Sequence, residues 1–298
     1  MNNKKPGFTI AVASGKGGTG KTFISTNLFN TLQKYSYKVT LVDCDAEEPN
    51  ARQFTGGKKV STKLVTQLVP VIDESKCVYC GKCFEYCTYN AIFFVKEARM
   101  IRVLDDLCHG CGACTVACEP YGAIHEKEDE LGTVNHYEIT PGVTVVEART
   151  KVGVHSSVKV VKEAIRSAYD ADVVVLDSPP GTSCPFIQTV ASADFVILVT
   201  EPTPFGMSDL KQSVETLRHM GKPCGVIVNR AGLGTNEVYD YLSSEQLPLL
   251  MNIPFDRSIA RIYSEGNLLT EQDDGWQMQF NLMYNLITER YGISCNKW

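Results

Sequence analysis

The sequence predicts an α/β protein: a mostly parallel sheet covered by helices on both faces, interrupted by a small α+β domain rich in cysteine. Three observations lead there. A glycine-rich phosphate-loop pattern sits between an apolar run and a helical stretch near the start of the chain. Through the second half, short apolar runs alternate with helical stretches, the pattern of parallel strands buried on both faces. Between these parts a run of four cysteines occurs twice. The 298 residues, 44% hydrophobic and 21% charged, suffice for one large core and a small second unit. The expected divisions are 1–68 for the first part of the body, 69–131 for the insert and 132–298 for the rest of the body.

In chain order, residues 8–14 read as a short buried strand and about 21–35 as the helix after the glycine-rich turn. Residues 38–43 form a second buried strand, with apolar Val39, Leu41 and Val42. From about 69 to 131 the pattern changes to short, cysteine-rich segments. Strands follow at 173–177, 195–200, 225–229 and 249–253, with a helix over 208–220 among them. The last helix, about 276–291, carries Trp276, Phe280, Met283, Ile287 and Tyr291 along one side. Arg290 is its single base, so that side is expected to pack on the core rather than lie on a membrane.

Gly15-Lys16-Gly17-Gly18-Thr19-Gly20-Lys21-Thr22 satisfies G-x-x-x-x-G-K-[ST] in a strand–turn–helix setting. Glycines allow backbone N–H groups to converge on phosphate oxygens, and the helix N-terminus adds its positive end. Lys21 is expected to neutralise β/γ-phosphates and the Thr22 hydroxyl to hold Mg²⁺. With its extra Lys16, the stretch resembles the deviant Walker A motif of the MinD/ParA/Mrp ATPases and the nitrogenase iron protein. That resemblance implies a Lys16 that reaches nucleotide phosphates, often across a nucleotide-sandwich homodimer. It also implies slow ATP hydrolysis, used mainly as a conformational signal. Four more segments carry it through the body. Leu41-Val42-Asp43-Cys44-Asp45 looks like a switch I strand end, which gives Asp45 the role of positioning Mg²⁺ or the attacking water. Val173–Asp177 before Ser178-Pro179-Pro180-Gly181-Thr182 looks like Walker B with switch II, with Asp177 near Mg²⁺. Val228-Asn229-Arg230 and Ile253-Pro254-Phe255-Asp256 are similar to the segments that frame adenine, so Asn229, Arg230, Pro254 and Asp256 are candidate base contacts.

Eight of the twelve cysteines lie between Cys77 and Cys118. Cys77, Cys80, Cys83 and Cys87 recur 31 residues later as Cys108, Cys111, Cys114 and Cys118. Tyr89-Asn90-Ala91-Ile92 likewise matches Tyr121-Gly122-Ala123-Ile124 at an offset of 32, so the segment is a duplicated half-domain. C-x₂-C-x₂-C-x₃-C is an iron–sulfur spacing, although C-x-x-C knuckles also bind zinc. Both runs resemble those of two-cluster bacterial ferredoxins. That resemblance implies one [4Fe–4S] cluster on Cys77, Cys80, Cys83 and Cys118, and a second on Cys87, Cys108, Cys111 and Cys114. The match departs at the fourth cysteines, where ferredoxins place proline: Thr88 follows Cys87, and Glu119 precedes Pro120 after Cys118. These differences bear on reduction potential.

Of the remaining cysteines, Cys44 and Cys224 adjoin apolar strands and read as small buried hydrophobes. Cys184 follows the switch II resemblance and is the candidate for a cluster bridging two subunits; Cys295 is terminal. A net charge of −5 disfavours a nucleic-acid binder. No apolar stretch approaches the about 18 residues of a membrane span, and no export signal is present, so the expected setting is the cytoplasm. The combined expectation is an ATP-gated electron carrier with a redox or iron–sulfur partner protein. An Mrp-like cluster scaffold and a MinD/ParA-like positioning switch are the alternatives.

Overall fold

The computed structural model describes residues 7–168 and 170–291, which form two compact units. The larger takes in the described residues up to Lys63, Val134–Arg149, and those from Val158 on. The smaller consists of Leu64–Thr133 and Thr150–Ser157, so a segment well beyond the cysteine runs belongs to it.

The strands are β1 (Phe8–Ala13), β2 (Val39–Asp43), β3 (Lys58–Ile72), β4 (Ile92–Val95), β5 (Met100–Val103), β6 (Ile124–Thr140), β7 (Val143–Thr150), β8 (Val173–Asp177), β9 (Phe195–Thr200), β10 (Cys224–Ala231) and β11 (Leu249–Pro254). The helices are α1 (Lys21–Lys34), α2 (Arg52–Thr55), α3 (Lys82–Glu85), α4 (Ala113–Ala117), α5 (Val158–Arg166), α6 (Cys184–Ala191), α7 (Pro204–His219), α8 (Glu237–Ser244), α9 (Arg257–Ser264), α10 (Leu269–Gln272) and α11 (Asp274–Tyr291). The main sheet has the order β11-β10-β9-β1-β8-β2-β7-β6-β3. From β11 through β7 every neighbouring pair is parallel.

Continuous apolar runs explain the centre of this sheet. Every residue of β1, β2, β8 and β9 is buried, as helices on both faces require. One face packs Ile10, Val12, Leu41, Val175 and Ile197 against Phe23, Leu28 and Leu32 of α1 and against Phe280, Met283 and Ile287 of α11. The apolar side of the last helix is therefore core, with Trp276 and Tyr291 partly buried at its ends. Asn27 of α1 accepts from the Thr270 backbone N–H at 2.9 Å, which ties α10 to α1. Helix α7 begins four residues before the expected 208: Thr203 caps it by accepting from Gly206 N at 3.1 Å, and Pro204 occupies the first turn.

The smaller unit contains the antiparallel hairpin β4–β5 and two short helices, α3 and α4. Its apolar core is small: Ile92, Ile101 and Ile124 with the side chains of Cys83 and Cys114. Among the described residues no helix is long and apolar enough to cross a membrane.

Candidate functional site: a phosphate-loop cleft and two cysteine-lined cavities

In the larger unit the loop between β1 and α1 shapes itself through glycine. Gly20 holds φ +101°, and a Cβ there would meet Asn229 Nδ2 at 2.5 Å. At Gly15 a Cβ would meet the Asp209 carbonyl at 2.6 Å, so α7 presses directly on the loop. Asn229 completes the lock by donating from Nδ2 to Thr19 O at 2.8 Å. Lys21 folds back inside, its Nζ 3.0 Å from Ser14 Oγ and 3.2 Å from Lys16 O. Burial lowers its pKa from the ordinary 10.5, opposed by the charges of Asp177 and Asp45. Such a lysine, buried at the wall of the cleft, is placed to meet an anionic group there.

Parallel pairing brings the acids together. Asp43 and Asp177 lie opposite each other on β2 and β8. Both oxygens of Asp177 are buried without a hydrogen-bond partner. Burial pushes this carboxyl up to about 6, and the nearby Thr22 hydroxyl and Lys21 ammonium offset only part of that. An orphaned buried carboxylate below the Thr22 end of the phosphate loop suits a divalent cation with its water shell. Asp43 has a different task. It accepts from the backbone N–H groups of Asp45 (3.1 Å), Asn50 and Ala51 (both 2.9 Å), which pins the loop after β2. Asp45, carried by that loop, faces the cleft, and burial raises its pKa.

The cleft encloses about 460 Å³, a volume suited to a small-molecule ligand. Its walls include Gly17, Gly18, Gly20, Lys21, Thr22 and Asp45 at one end, and Asn229, Arg230, Pro254 and Asp256 at the other. Asp256 also caps α9, accepting from Ser258 N at 2.7 Å. Gly15, Lys16, Thr19 and Asp177 stand outside the lining; Thr19 is buried and Lys16 turns toward Glu201, its Nζ 3.6 Å from Glu201 Oε2.

Two features escaped the sequence reading. Tyr263 of α9 lines the cleft, stacked on Phe54 (centroids 4.7 Å apart) and edge-on to Phe23 (5.8 Å). Glu201 is buried, and its other oxygen lies 2.8 Å from Arg230 Nη1. Strand-end acids and aromatics are too common for sequence to single out these two.

In the smaller unit the duplicated sequence gives duplicated backbone. Left-handed residues recur at Tyr79 and Gly110, at Gly81 and Gly112, and at Asn90 and Gly122. The Tyr79 N–H donates to Cys77 Sγ at 3.4 Å, and the matching Gly110 N–H donates to Cys108 Sγ at 3.4 Å. The Ala91 N–H donates to Cys87 Sγ at 3.2 Å. One cavity is lined by Cys77, Cys80, Cys83 and Cys118, a second by Cys87, Cys108, Cys111 and Cys114. Each set takes three cysteines from one run and the fourth from the other. Among the described residues no group of three or more His, Cys, Asp or Glu side chains is drawn together as a single-ion site. Burial pushes the Cys83 thiol up to about 11 and raises Cys108 and Cys114 as well. Four sulfurs around each cavity, with N–H donors aimed at them, suit a thiolate-ligated cluster.

Of the other cysteines, Cys44 is fully buried, Cys224 is half-buried and Cys184 is exposed at the start of α6. Cys295 lies outside the described residues.

Comparison with known proteins adds four findings. The CobQ/CobB/MinD/ParA nucleotide binding domain matches residues 10–269. An uncharacterized protein of Methanocaldococcus jannaschii is 30% identical over 275 residues, covering 89% of this chain and 92% of its own. An iron-sulfur cluster carrier protein of Aquifex aeolicus is 24% identical over 282 residues, 88% of this chain and 62% of that one. Among solved structures, the septum site-determining protein MinD of Pyrococcus horikoshii, complexed with Mg-ADP, superposes with a TM-score of 0.57 at 21% identity. That match covers 94% of this chain and 95% of the other.

Proposed function

The chain belongs to the CobQ/CobB/MinD/ParA nucleotide-binding family, and on that premise we propose that it is a slow ATPase that gates electron transfer from two [4Fe–4S] clusters to a partner protein. The observation that carries this reading is the pairing of a phosphate-loop cleft with two four-cysteine cavities in one chain.

In this reading Gly15–Thr22 cradle the triphosphate with backbone N–H groups. Lys21 and Lys16 balance the charge that develops on the γ-phosphate oxygens as water attacks. Thr22, Asp45 and Asp177 would hold Mg²⁺, which would supply Lewis-acid charge there. Asp45 orients the attacking water, and Asn229, Arg230, Pro254 and Asp256 receive the base. Cys77, Cys80, Cys83 and Cys118 hold one cluster, and Cys87, Cys108, Cys111 and Cys114 the other; bound there, the clusters supply one-electron carriage. A homodimer forms through the nucleotide site.

Gating is energetically modest. Moving a one-electron potential by about 100 mV takes about 2.3 kcal/mol of differential nucleotide binding. Ordinary coupling between sites spans about 1–3 kcal/mol. The test is anaerobic purification with iron counting and EPR, then titration of both clusters with and without a non-hydrolysable ATP analogue. Potentials and transfer rates that ignore the nucleotide remove the gating; zinc in place of iron removes the redox reading altogether.

A second reading, cluster carriage to apo-proteins, draws support from relatives named iron-sulfur cluster carrier protein and from the exposure of Cys80 and Cys111. It requires timed transfer of cluster to an apo-acceptor, which permanent clusters would not give.

A further inference from the structure

Glu201 follows the last residue of β9, and Lys16 follows β1 by a short turn; these strands pair in parallel with Ala13 opposite Leu198. That pairing sets a buried carboxylate between two cations. Lys16 Nζ stands 3.6 Å from one Glu201 oxygen and Arg230 Nη1 stands 2.8 Å from the other. The Glu201 side chain is 8% exposed, against 32% for Lys16 and 49% for Arg230.

The backbones around this contact are held. The Lys16 carbonyl accepts from Ser14 Oγ at 2.6 Å and from Lys21 Nζ at 3.2 Å. Glu201 O accepts from Thr203 N at 2.8 Å, and a Cβ at Gly206 would overlap that same carbonyl. Arg230 sits at φ +54°, its N–H held by Asn229 Oδ1 at 2.9 Å. With its backbone held, Lys16 can leave Glu201 by turning its side chain alone. When it leaves, Glu201 keeps Arg230 as a counterion, so no lone buried charge results.

We infer that Glu201 is a positioning residue that parks Lys16 within its own subunit and anchors Arg230 at the base end of the cleft, and that a triphosphate competes with this carboxylate for the lysine. The inference rests on the nucleotide reading above. It makes the chain's preference for ATP over ADP depend on a residue that touches neither phosphate nor base. A partly exposed ion pair of this kind sets the competition at about fivefold.

The experiment measures ATP and ADP dissociation constants by calorimetry for the full-length protein, for Glu201→Gln, for Lys16→Ala, and for the double variant. Glutamine preserves the shape, and thermal unfolding of each variant reports whether it is folded. Glu201→Gln is expected to raise the ATP-to-ADP affinity ratio about fivefold, with no change of the ratio in the Lys16→Ala background. Arg230→Gln serves as the second variant and is expected to weaken both nucleotides equally, leaving the ratio alone. A ratio unmoved by Glu201→Gln, or moved equally without Lys16, overturns the parking role. Repeating the titrations at several protein concentrations separates the sources of the phosphate: a concentration-dependent ratio points to a lysine acting across subunits, a constant one to its own nucleotide, and both keep the competition. Wild-type protein that binds neither nucleotide overturns the nucleotide reading and this inference with it.

Discussion

The two units of this chain reach order by opposite routes. The larger buries continuous apolar strands between helices, with residues such as Ile10, Leu41, Leu176 and Ile197 wholly inaccessible. Its cleft is a product of that core, since strand pairing alone sets Asp43 beside Asp177 and β1 beside β9. The smaller unit has three buried isoleucines and, in their midst, the cysteines themselves. A core that small does not stabilise so short a domain without staples. In one unit a site is hung on a fold; in the other, on the proposed reading, bound clusters would help hold the fold.

Removing a cysteine is the most severe way to test that contrast. Cys83→Ser is expected to reduce bound iron from about eight to about four per chain and to open the smaller unit to limited proteolysis. ATP affinity should stay within about twofold, because the larger unit keeps its own core. Iron analysis, trypsin mapping and calorimetry on one sample decide it; lost ATP binding breaks the contrast. The converse change, Lys21→Ala, is expected to lower ATP hydrolysis by about 10²–10³-fold while leaving iron content and EPR signals intact. Phosphate release and EPR measured together would expose any dependence of the clusters on the cleft.

A smaller effect sharpens the picture of the larger unit. Asp177 holds its proton more tightly folded, at about 6, than at its ordinary 3.8. Below about 4 it is protonated in both states and costs nothing. As pH rises from about 4 to about 6 the folded state gives up this proton less readily, so stability falls, by an amount on the order of 3 kcal/mol, and then levels off. Denaturant unfolding without metal or nucleotide should show that decline, and Asp177→Asn should lessen it, leaving what Asp43 and Asp45, also raised by burial, contribute. An unchanged slope would mean another group carries the titration. Least of all is expected of Cys184→Ser. This exposed residue outside both cavities should shift stability by less than about 0.5 kcal/mol and leave iron content alone. A loss of iron there would revive a bridging site between subunits.

The local motifs were readable because their geometry is local. A phosphate loop binds through consecutive backbone N–H groups, so Gly15–Thr22 carry their own instructions. Cysteine spacing likewise sets which sulfurs a tight turn can gather, and the offset of 31 residues between runs foretold two matching turns. The long strands β3 and β6 were not foreseen: β3 begins Lys58-Lys59, and β6 runs through Glu126-Lys127-Glu128-Asp129-Glu130, so charge masks the alternation that marks a strand.

By itself the sequence determined the phosphate loop, the two cysteine runs and the alternation of strands and helices, since each depends on neighbours within a few turns of chain. Tertiary structure alone decided that Asp43 pins the loop carrying Asp45, that Tyr263 stacks on Phe54 beside the cleft, and that Glu201 stands between Lys16 and Arg230. The Asp43 contacts span only two to eight residues and follow the path of their loop. Tyr263, by contrast, meets Phe54 through helix packing and Glu201 meets its two cations through the order of strands in the sheet, both settled by burial of the whole core rather than by any residue in the motif.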